Sequence, residues 1–264
     1  MRENKFHTTL TDLYDIKNNL SSATTLSTEI LFKNVARLER TLMDNVYTET
    51  QKQEIIDLFR SSIHKYEQHF TDYTAALEKK FTDHTITTGK IDYDFLQESI
   101  WYYKFEDLVK QEIELASIDE RSKVLFIGSG PFPLSPILYQ KHAQCQVVGI
   151  EKEAEYAETS RALIQALGLT DSITIKTGLG EEFTNDSYTH VIAGLQALPK
   201  NAIFEQISNQ MPSGTTTVCR VKSGFGNIYY DTFTDEEFNE TYFEIVQRVE
   251  NSEMVIIPII LNVK

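Results

Sequence analysis

Gly128 and Gly130, in the string Phe126-Ile127-Gly128-Ser129-Gly130-Pro131-Phe132-Pro133-Leu134-Ser135, allow a backbone to turn sharply and come close to a bound molecule. Glu151 stands 23 residues after Gly128, at the end of the apolar run 146–150. A carboxylate there can accept hydrogen bonds from both hydroxyls of a ribose. A Gly-x-Gly turn alone is weak, but with the acid at this separation the pair reads as a nucleoside site. A dinucleotide would need a pyrophosphate seat on the next helix N-terminus, usually with a third glycine, and here Phe132 and Pro133 fill that region. A bulky turn poor in donors suits a ligand without phosphates. S-adenosylmethionine is therefore the favoured cofactor, although Phe126 stands where methyltransferases usually carry an acid.

Other residues could also do chemistry. Glu67 lies four residues after Ile63 and three before Phe70, so a carboxylate sits on or beside an apolar helical stripe. An edge residue snorkelling to water would give the same pattern. The rings of Trp101-Tyr102-Tyr103-Lys104-Phe105 are explained equally well by core packing. Cys145 and Cys219, each within an apolar run, read as buried free thiols, and His64, His69 and His190 form no ligand spacing. No metal is expected in the protein.

The elements that must position these groups change character along the chain. Residues 1 to about 20 read as a polar lead-in helix or arm, followed by a Ser/Thr-rich loop over 21–28. A helix from near Ser27 to Asp44-Asn45 buries Leu26, Ile30, Leu31, Val35, Leu38 and Leu42. The spacing of Ile55, Ile56, Phe59, Ile63, Tyr66, Phe70, Tyr73 and Leu77 predicts one long helix from Thr50 to Lys80, with a loop over 83–90 and a third helix from Tyr93 to Leu115. From Lys123 strands and helices alternate, as in a parallel sheet covered on both faces. Strands are expected at 123–127, 146–150, 173–176, 190–194 and 215–221, with a closing hairpin over 242–249 and 254–263; Ser135 and Pro136 should cap and start the helix after the glycine turn. The expected architecture is α/β: a Rossmann-like S-adenosylmethionine-dependent methyltransferase fold with a seven-stranded mixed sheet over 119–264, preceded by an N-terminal α-helical domain over 1–118.

Bulk properties narrow the partners. A formal net charge of -14 over 264 residues argues against nucleic acid, whose affinity comes from phosphates neutralised by Lys and Arg. No run approaches the roughly 18 apolar residues of a membrane span, and the N-terminus lacks the apolar core of a signal peptide, so a cytoplasmic location and small-molecule partners are expected.

The string Phe126 to Ser135 resembles the nicotianamine synthase family, whose strand and turn read F-I-G-S-G-P-L-P. Glu67-Gln68-His69-Phe70 is similar to the E-x-H-aromatic piece of the family's long helix, and Tyr102 to Leu108 to its Tyr-rich helix. Arg220 with Gly224, Gly226 and Tyr229 resembles its R-S-x-x-G-x-x-G-F-x-Y loop. The family's H-T-A-D is here Lys176-Thr177-Gly178-Leu179, without the acid that would meet adenine. The chain is shorter than the plant enzymes and resembles most the bacterial members that make opine metallophores of the staphylopine kind.

This resemblance implies attack on the γ-carbon of the methionine part of S-adenosylmethionine, not on the methyl. The amine of histidine, with D-histidine favoured, would take the 3-amino-3-carboxypropyl (aminobutanoyl) group and release 5'-methylthioadenosine. It implies Glu67 as general base and Tyr102 and Tyr103 as groups holding the amine or polarising the acceptor. Gly128, Ser129, Gly130, Pro131, Glu151, Thr177, Leu195 and Gln196 would hold the cofactor, and His69, Arg220 and Tyr229 the substrate. Arg220 could instead be structural. A downstream opine dehydrogenase is the implied partner and a homodimer the candidate assembly. An ordinary small-molecule methyltransferase, nicotianamine synthase proper and a nucleoside-binding regulator stay open as alternatives.

Overall fold

The computed structural model describes residues 2–21, 27–65, 67–97, 99–229, 241–251 and 253–264. Among the described residues six helices come first: α1 (Arg2–Ser21), α2 (Thr28–Met43), α3 (Glu49–Arg60), α4 (Glu67–Thr88), α5 (Tyr93–Leu96) and α6 (Phe105–Ala116). The polar lead-in is a full helix, because Leu13, Ile16 and Leu20 recur at helical spacing and are completely buried. Ser27 caps α2, its hydroxyl accepting from the Ile30 N–H at 3.4 Å. Leu31, Val35, Leu38 and Leu42 are buried as expected, whereas Ile30 is exposed; Leu26 lies outside the described residues.

The long helix expected from Thr50 to Lys80 is broken. After α3 the chain makes a 3-10 turn over Ile63–Lys65 before α4 begins, and Tyr66 lies outside the described residues. Ser61 stands at the break: its hydroxyl donates to the Leu58 carbonyl at 3.0 Å, a local bond that competes with the helical ladder. In turn α4 runs eight residues past Lys80, through the expected loop, to Thr88. Burial of Phe81, Thr82 and Thr85 overrides the poor helix propensity of the threonines, and Gly89 then ends the helix at φ +67. The expected helix over 93–115 is also divided, since the described residues 97 and 99–104 turn between α5 and α6 and Lys104 takes a left-handed φ of 58.

The second part comprises β1 (Lys123–Ile127), α7 (Leu134–Ala143), β2 (Gln146–Glu151), α8 (Ala154–Ala166), β3 (Ile173–Thr177), β4 (His190–Ala193), α9 (Lys200–Gln210), β5 (Thr216–Lys222), β6 (Phe243–Arg248) and β7 (Ile256–Val263). The strands lie in the order β3-β2-β1-β4-β5-β7-β6, all parallel except β7, which pairs antiparallel with both β5 and β6. Alternate residues serve opposite faces. Leu125, Val191 and Cys219 pack with Ile203, Phe204 and Ile207 of α9, while Val124, Phe126 and Val218 join a cluster that runs through α7 and α6 to Leu13 of α1. Each such buried side chain contributes about 1.5–3 kcal/mol. Among the described residues no helix is long and apolar enough to cross a membrane, and both cysteines are buried free thiols.

Register fixes the site. Ile127 aligns with Ile150 on one side and with Ala193 on the other, so Gly128, Glu151 and Gly194 stand side by side at the C-terminal edge of the sheet. The strand order reverses between β1 and β4, the switch point where open α/β sheets form a crevice.

Candidate active site

Two adjoining cavities open at this switch point. The wider, about 390 Å³, is bounded by Gly128 to Pro131, Glu151, Tyr156 and Gly178 to Glu181. The inner, about 110 Å³, is walled by Trp101, Tyr102, Phe105, Phe126 and Phe132, with Leu195 and Arg220. Thr74, Glu78, Gly128, Ser129 and Gln196 line both, so these residues form the junction.

The glycine turn is held from beneath. Gly128 and Ser129 donate their N–H groups to the Ile150 carbonyl at 2.9 and 3.1 Å, and Gly130 donates to Glu151 Oε2 at 2.9 Å. Gly130 adopts φ +68, and a Cβ there would lie 2.9 Å from Glu78 Oε2, so no larger residue fits without displacing that carboxylate. Thr82 donates to the Pro131 carbonyl at 3.1 Å and thereby ties α4 to the turn. The expected cap at Ser135 is not formed: α7 starts at Leu134, two residues before the expected Pro136, and the Ser135 hydroxyl accepts from Arg220 Nη1 at 2.8 Å.

Glu151 is buried, its Oε1 accepting from the Glu153 N–H at 2.9 Å. A carboxylate can accept about four hydrogen bonds, so two backbone donors leave room for two hydroxyls. Glu78, Glu151, Glu153 and Glu181 line the wide cavity against one cation, Lys152. An acidic cavity with no phosphate seat suits a cationic nucleoside, and the residues present fit S-adenosylmethionine better than a dinucleotide.

Glu78 is the carboxylate at the junction. Its Oε1 accepts from the Tyr102 hydroxyl at 3.0 Å. Burial pushes its pKa up to about 8, the Tyr102 hydrogen bond opposes that rise, and repulsion from Glu151 adds to it. Tyr102 is itself fixed by edge contacts with the rings of Phe81, at 5.0 Å, and Phe132, at 6.4 Å.

Arg220 is paired with the protein's own acid. Nε and Nη2 donate to the two oxygens of Glu112 at 2.8 and 2.7 Å, and the guanidinium lies between the Phe105 and Phe126 rings, 5.1 Å from each. Burial pulls its pKa down, but Glu112 more than offsets this and holds it above the ordinary value. Tyr139 donates to Glu112 Oε2 at 2.6 Å. The Phe126 ring thus takes the place of the usual acid by covering a buried ion pair. Arg220 still lines the inner cavity, and its guanidinium also hydrogen-bonds the Tyr139 hydroxyl.

The structure therefore gathers Tyr102, Gly128, Ser129, Gly130, Pro131, Glu151, Leu195, Gln196 and Arg220 around the two cavities. Others lie elsewhere. Glu67 is exposed at the first turn of α4 and lines neither cavity; the acid of α4 that does line them is Glu78, three turns further on. His69 is buried on the same helix away from both cavities. Tyr103 is 44% exposed, with Lys104 Nζ 5.4 Å from its ring. Thr177 is exposed and accepts from Arg161 Nη1 at 3.3 Å, and the wide cavity begins at the next residue, Gly178. Tyr229 is completely buried against Phe70 and Trp101, ring centroids 4.6 and 4.9 Å away. Sequence reasoning missed Glu78, Thr74 and Tyr156. The available signal was the spacing of Thr71, Thr74, Ala75 and Glu78, which puts small residues and one acid on a single helix face.

A seven-stranded mixed sheet with an antiparallel final strand, and a nucleoside-sized cleft at its switch point, defines the Rossmann-like class of S-adenosylmethionine-dependent methyltransferase folds, here preceded by a helical region. Within it the chain belongs to the nicotianamine synthase family: the family model described as "Nicotianamine synthase protein" matches residues 2–264. The resemblance read from Phe126 to Ser135 therefore holds. The L-histidine 2-aminobutanoyltransferase of Yersinia pestis is 26% identical over 125 residues, 47% of this chain and 47% of the relative. A protein of the same name from Pseudomonas aeruginosa is 24% identical over 123 residues, 46% of each. These matches span about half the length of the curated relatives. A crystal structure of a glutamate-to-glutamine mutant of MtNAS in complex with S-adenosylmethionine superposes with a TM-score of 0.75 at 21% identity, covering 95% of this chain and 97% of that one. MtNAS in complex with MTA and tNA gives 0.69 at 20% identity, over 100% and 98%.

Proposed function

We propose that the protein transfers the 3-amino-3-carboxypropyl group of S-adenosylmethionine to the amine of histidine, releasing 5'-methylthioadenosine, in the assembly of a nicotianamine-like opine metallophore. The observation that carries this reading is the Glu78 carboxylate at the junction of an acidic nucleoside-sized cavity and an aromatic inner one, oriented by Tyr102. The names of the relatives and of the MtNAS complexes support the same chemistry. In this reading residues 119–264 hold the nucleoside, and the helical part, 1–118, supplies the base.

Bound in the cleft, S-adenosylmethionine supplies an electrophilic γ-carbon and a neutral thioether leaving group. Glu151 accepts from the ribose hydroxyls, and Gly128 to Pro131 give the nucleoside a close backbone wall. Glu181, two residues beyond the missing acid of the H-T-A-D motif, can accept from the adenine amine. In the inner cavity the guanidinium of Arg220 can attract a substrate carboxylate, and the rings of Phe105, Phe126 and Phe132 exclude water. Glu78 takes one proton from the acceptor ammonium, leaving a neutral amine whose lone pair forms the N–C bond as the C–S bond breaks. A carboxyl near pKa 8 is protonated at neutral pH in the empty cleft, and the adjacent sulfonium charge lowers it toward the working range. Holding both reactants in line across Glu78 decides which carbon reacts.

Incubation with S-adenosylmethionine and L- or D-histidine, followed by mass spectrometry, tests the reading. It requires 5'-methylthioadenosine and a histidine adduct; S-adenosylhomocysteine as the nucleoside product would instead identify a methyltransferase.

A further inference from the structure

A third cavity, about 460 Å³, lies between α2, α4 and α5 and shares no lining residue with the cleft. Its walls are aromatic: Phe32, Tyr73, Phe81 and Phe95. At its floor is Glu39, 2% exposed, whose oxygens accept from the Tyr73 hydroxyl at 3.1 Å and the Ser99 hydroxyl at 3.2 Å. At its rim are two exposed cations, Arg40 and Lys80, and one further acid, Asp44. Lys80 Nζ sits 4.6 Å from the Phe95 ring centre. Among the described residues neither Glu39 nor either rim cation makes an ion pair.

A buried carboxylate without a cation is costly, because hydrogen bonds from neutral groups replace only part of its hydration. Burial pushes Glu39 up to about 7 despite the bonds from Tyr73, Ser99 and the Ile100 backbone. Three donors also leave room for a fourth on a carboxylate. An ammonium would fill that place, and the rim cations could pair with a negative group on the same ligand. The structure assigns this cavity as a binding site for a zwitterionic α-amino acid with an aromatic side chain, its ammonium on Glu39, its carboxylate toward Arg40 and Lys80, and its ring among Phe32, Tyr73, Phe81 and Phe95. The volume is in the range of small-molecule pockets. The site borders the cleft through one side chain, since Phe81 packs edge-on against both Phe95, at 5.1 Å, and Tyr102, at 5.0 Å.

Calorimetric titration of the full chain with L-phenylalanine, under saturating 5'-methylthioadenosine, tests the assignment. Saturable binding is expected, weakened about tenfold or more by Glu39→Gln and by Ala36→Phe, which takes up cavity space while keeping the acid. Phenethylamine and 3-phenylpropionate, each lacking one charge, should bind at least about tenfold more weakly than phenylalanine. Absence of saturable binding, binding unchanged by both substitutions, or phenethylamine binding as tightly as phenylalanine would overturn the site. If Glu39→Gln fails to fold, as judged by thermal melting, Ala36→Phe gives the decision. Binding is the readout, so the result is independent of whether aminobutanoyl transfer occurs.

Discussion

The hydroxyl of Tyr102 donates to Oε1 of Glu78 at 3.0 Å, joining a turn ahead of α6 to the middle of α4 where the two cleft cavities meet. The bond orients one carboxylate, among several acids, at the junction of the two cavities. It also lowers the pKa of that carboxylate against the rise caused by burial and by Glu151.

Removing either partner should therefore separate chemistry from binding. Glu78→Gln is expected to reduce turnover by about 100-fold or more with nucleoside affinity retained, the range of a lost general base. Tyr102→Phe removes an interaction that favours the charged carboxylate, so the acidic limb of the pH–rate profile should move to higher pH. Steady-state kinetics from about pH 6 to 9 reads both effects; an unmoved limb in Tyr102→Phe would remove Glu78 as the titrating base.

The ion pair of Arg220 and Glu112 predicts a stability effect. Arg220→Met leaves Glu112 buried without a cation and should destabilise the fold by about 3–5 kcal/mol. Arg220→Lys should not restore it, because a single ammonium cannot reproduce the fork to both Glu112 oxygens and Ser135. Urea unfolding of the three proteins makes the comparison.

Stability should also depend on pH in a defined direction. Glu39 and Glu78 titrate at about 7 and about 8 in the folded chain, against 4.5 ordinarily. Between those limits the folded state holds protons that the unfolded chain has released, so the contribution of these groups falls as pH rises from about 4.5 to about 8. Glu39→Gln should flatten the urea-midpoint profile across pH 5 to 8, by an amount on the order of 2–3 kcal/mol. A variant with the same slope as the parent would show that Glu39 does not titrate there.

Lys200 holds the loop after β4. Its ammonium donates to the carbonyls of Gly194, Leu195 at 3.2 Å and Ala197 at 2.9 Å, and burial pulls its pKa down to about 8. Lys200→Met strips three carbonyls of their donor beneath Leu195 and Gln196, which line the cleft. The expected result is a KM for S-adenosylmethionine raised about tenfold with a smaller change in kcat.

The sheet was legible because apolar runs separated by glycine turns can only be buried strands in alternation with helices, and the residues that bend at its C-terminal edge were legible with it. The helical part was read less well. A period of 3.6 runs through Ser61 and Ser62 without registering that serine hydroxyls compete for the backbone, so one helix was expected where two stand. Glu67 and Glu78 are both acids beside the apolar stripe of Phe70, Tyr73, Leu77 and Phe81; only packing against the turn at Gly130 and against Tyr102 distinguishes them. Tyr229 reads as a site residue by motif, but it is a core ring because its position against Phe70 and Trp101 depends on contacts distant in sequence. Arg220 could not be assigned a partner from sequence because Glu112 lies 108 residues away.

The most direct test of the account follows the carbon that moves. S-adenosylmethionine carrying carbon-13 in its methyl group, incubated with the protein and histidine, should leave all of the label in 5'-methylthioadenosine and none in the histidine adduct. Label appearing on the acceptor would mean that the cleft delivers the methyl, and aminobutanoyl transfer across Glu78 would be wrong.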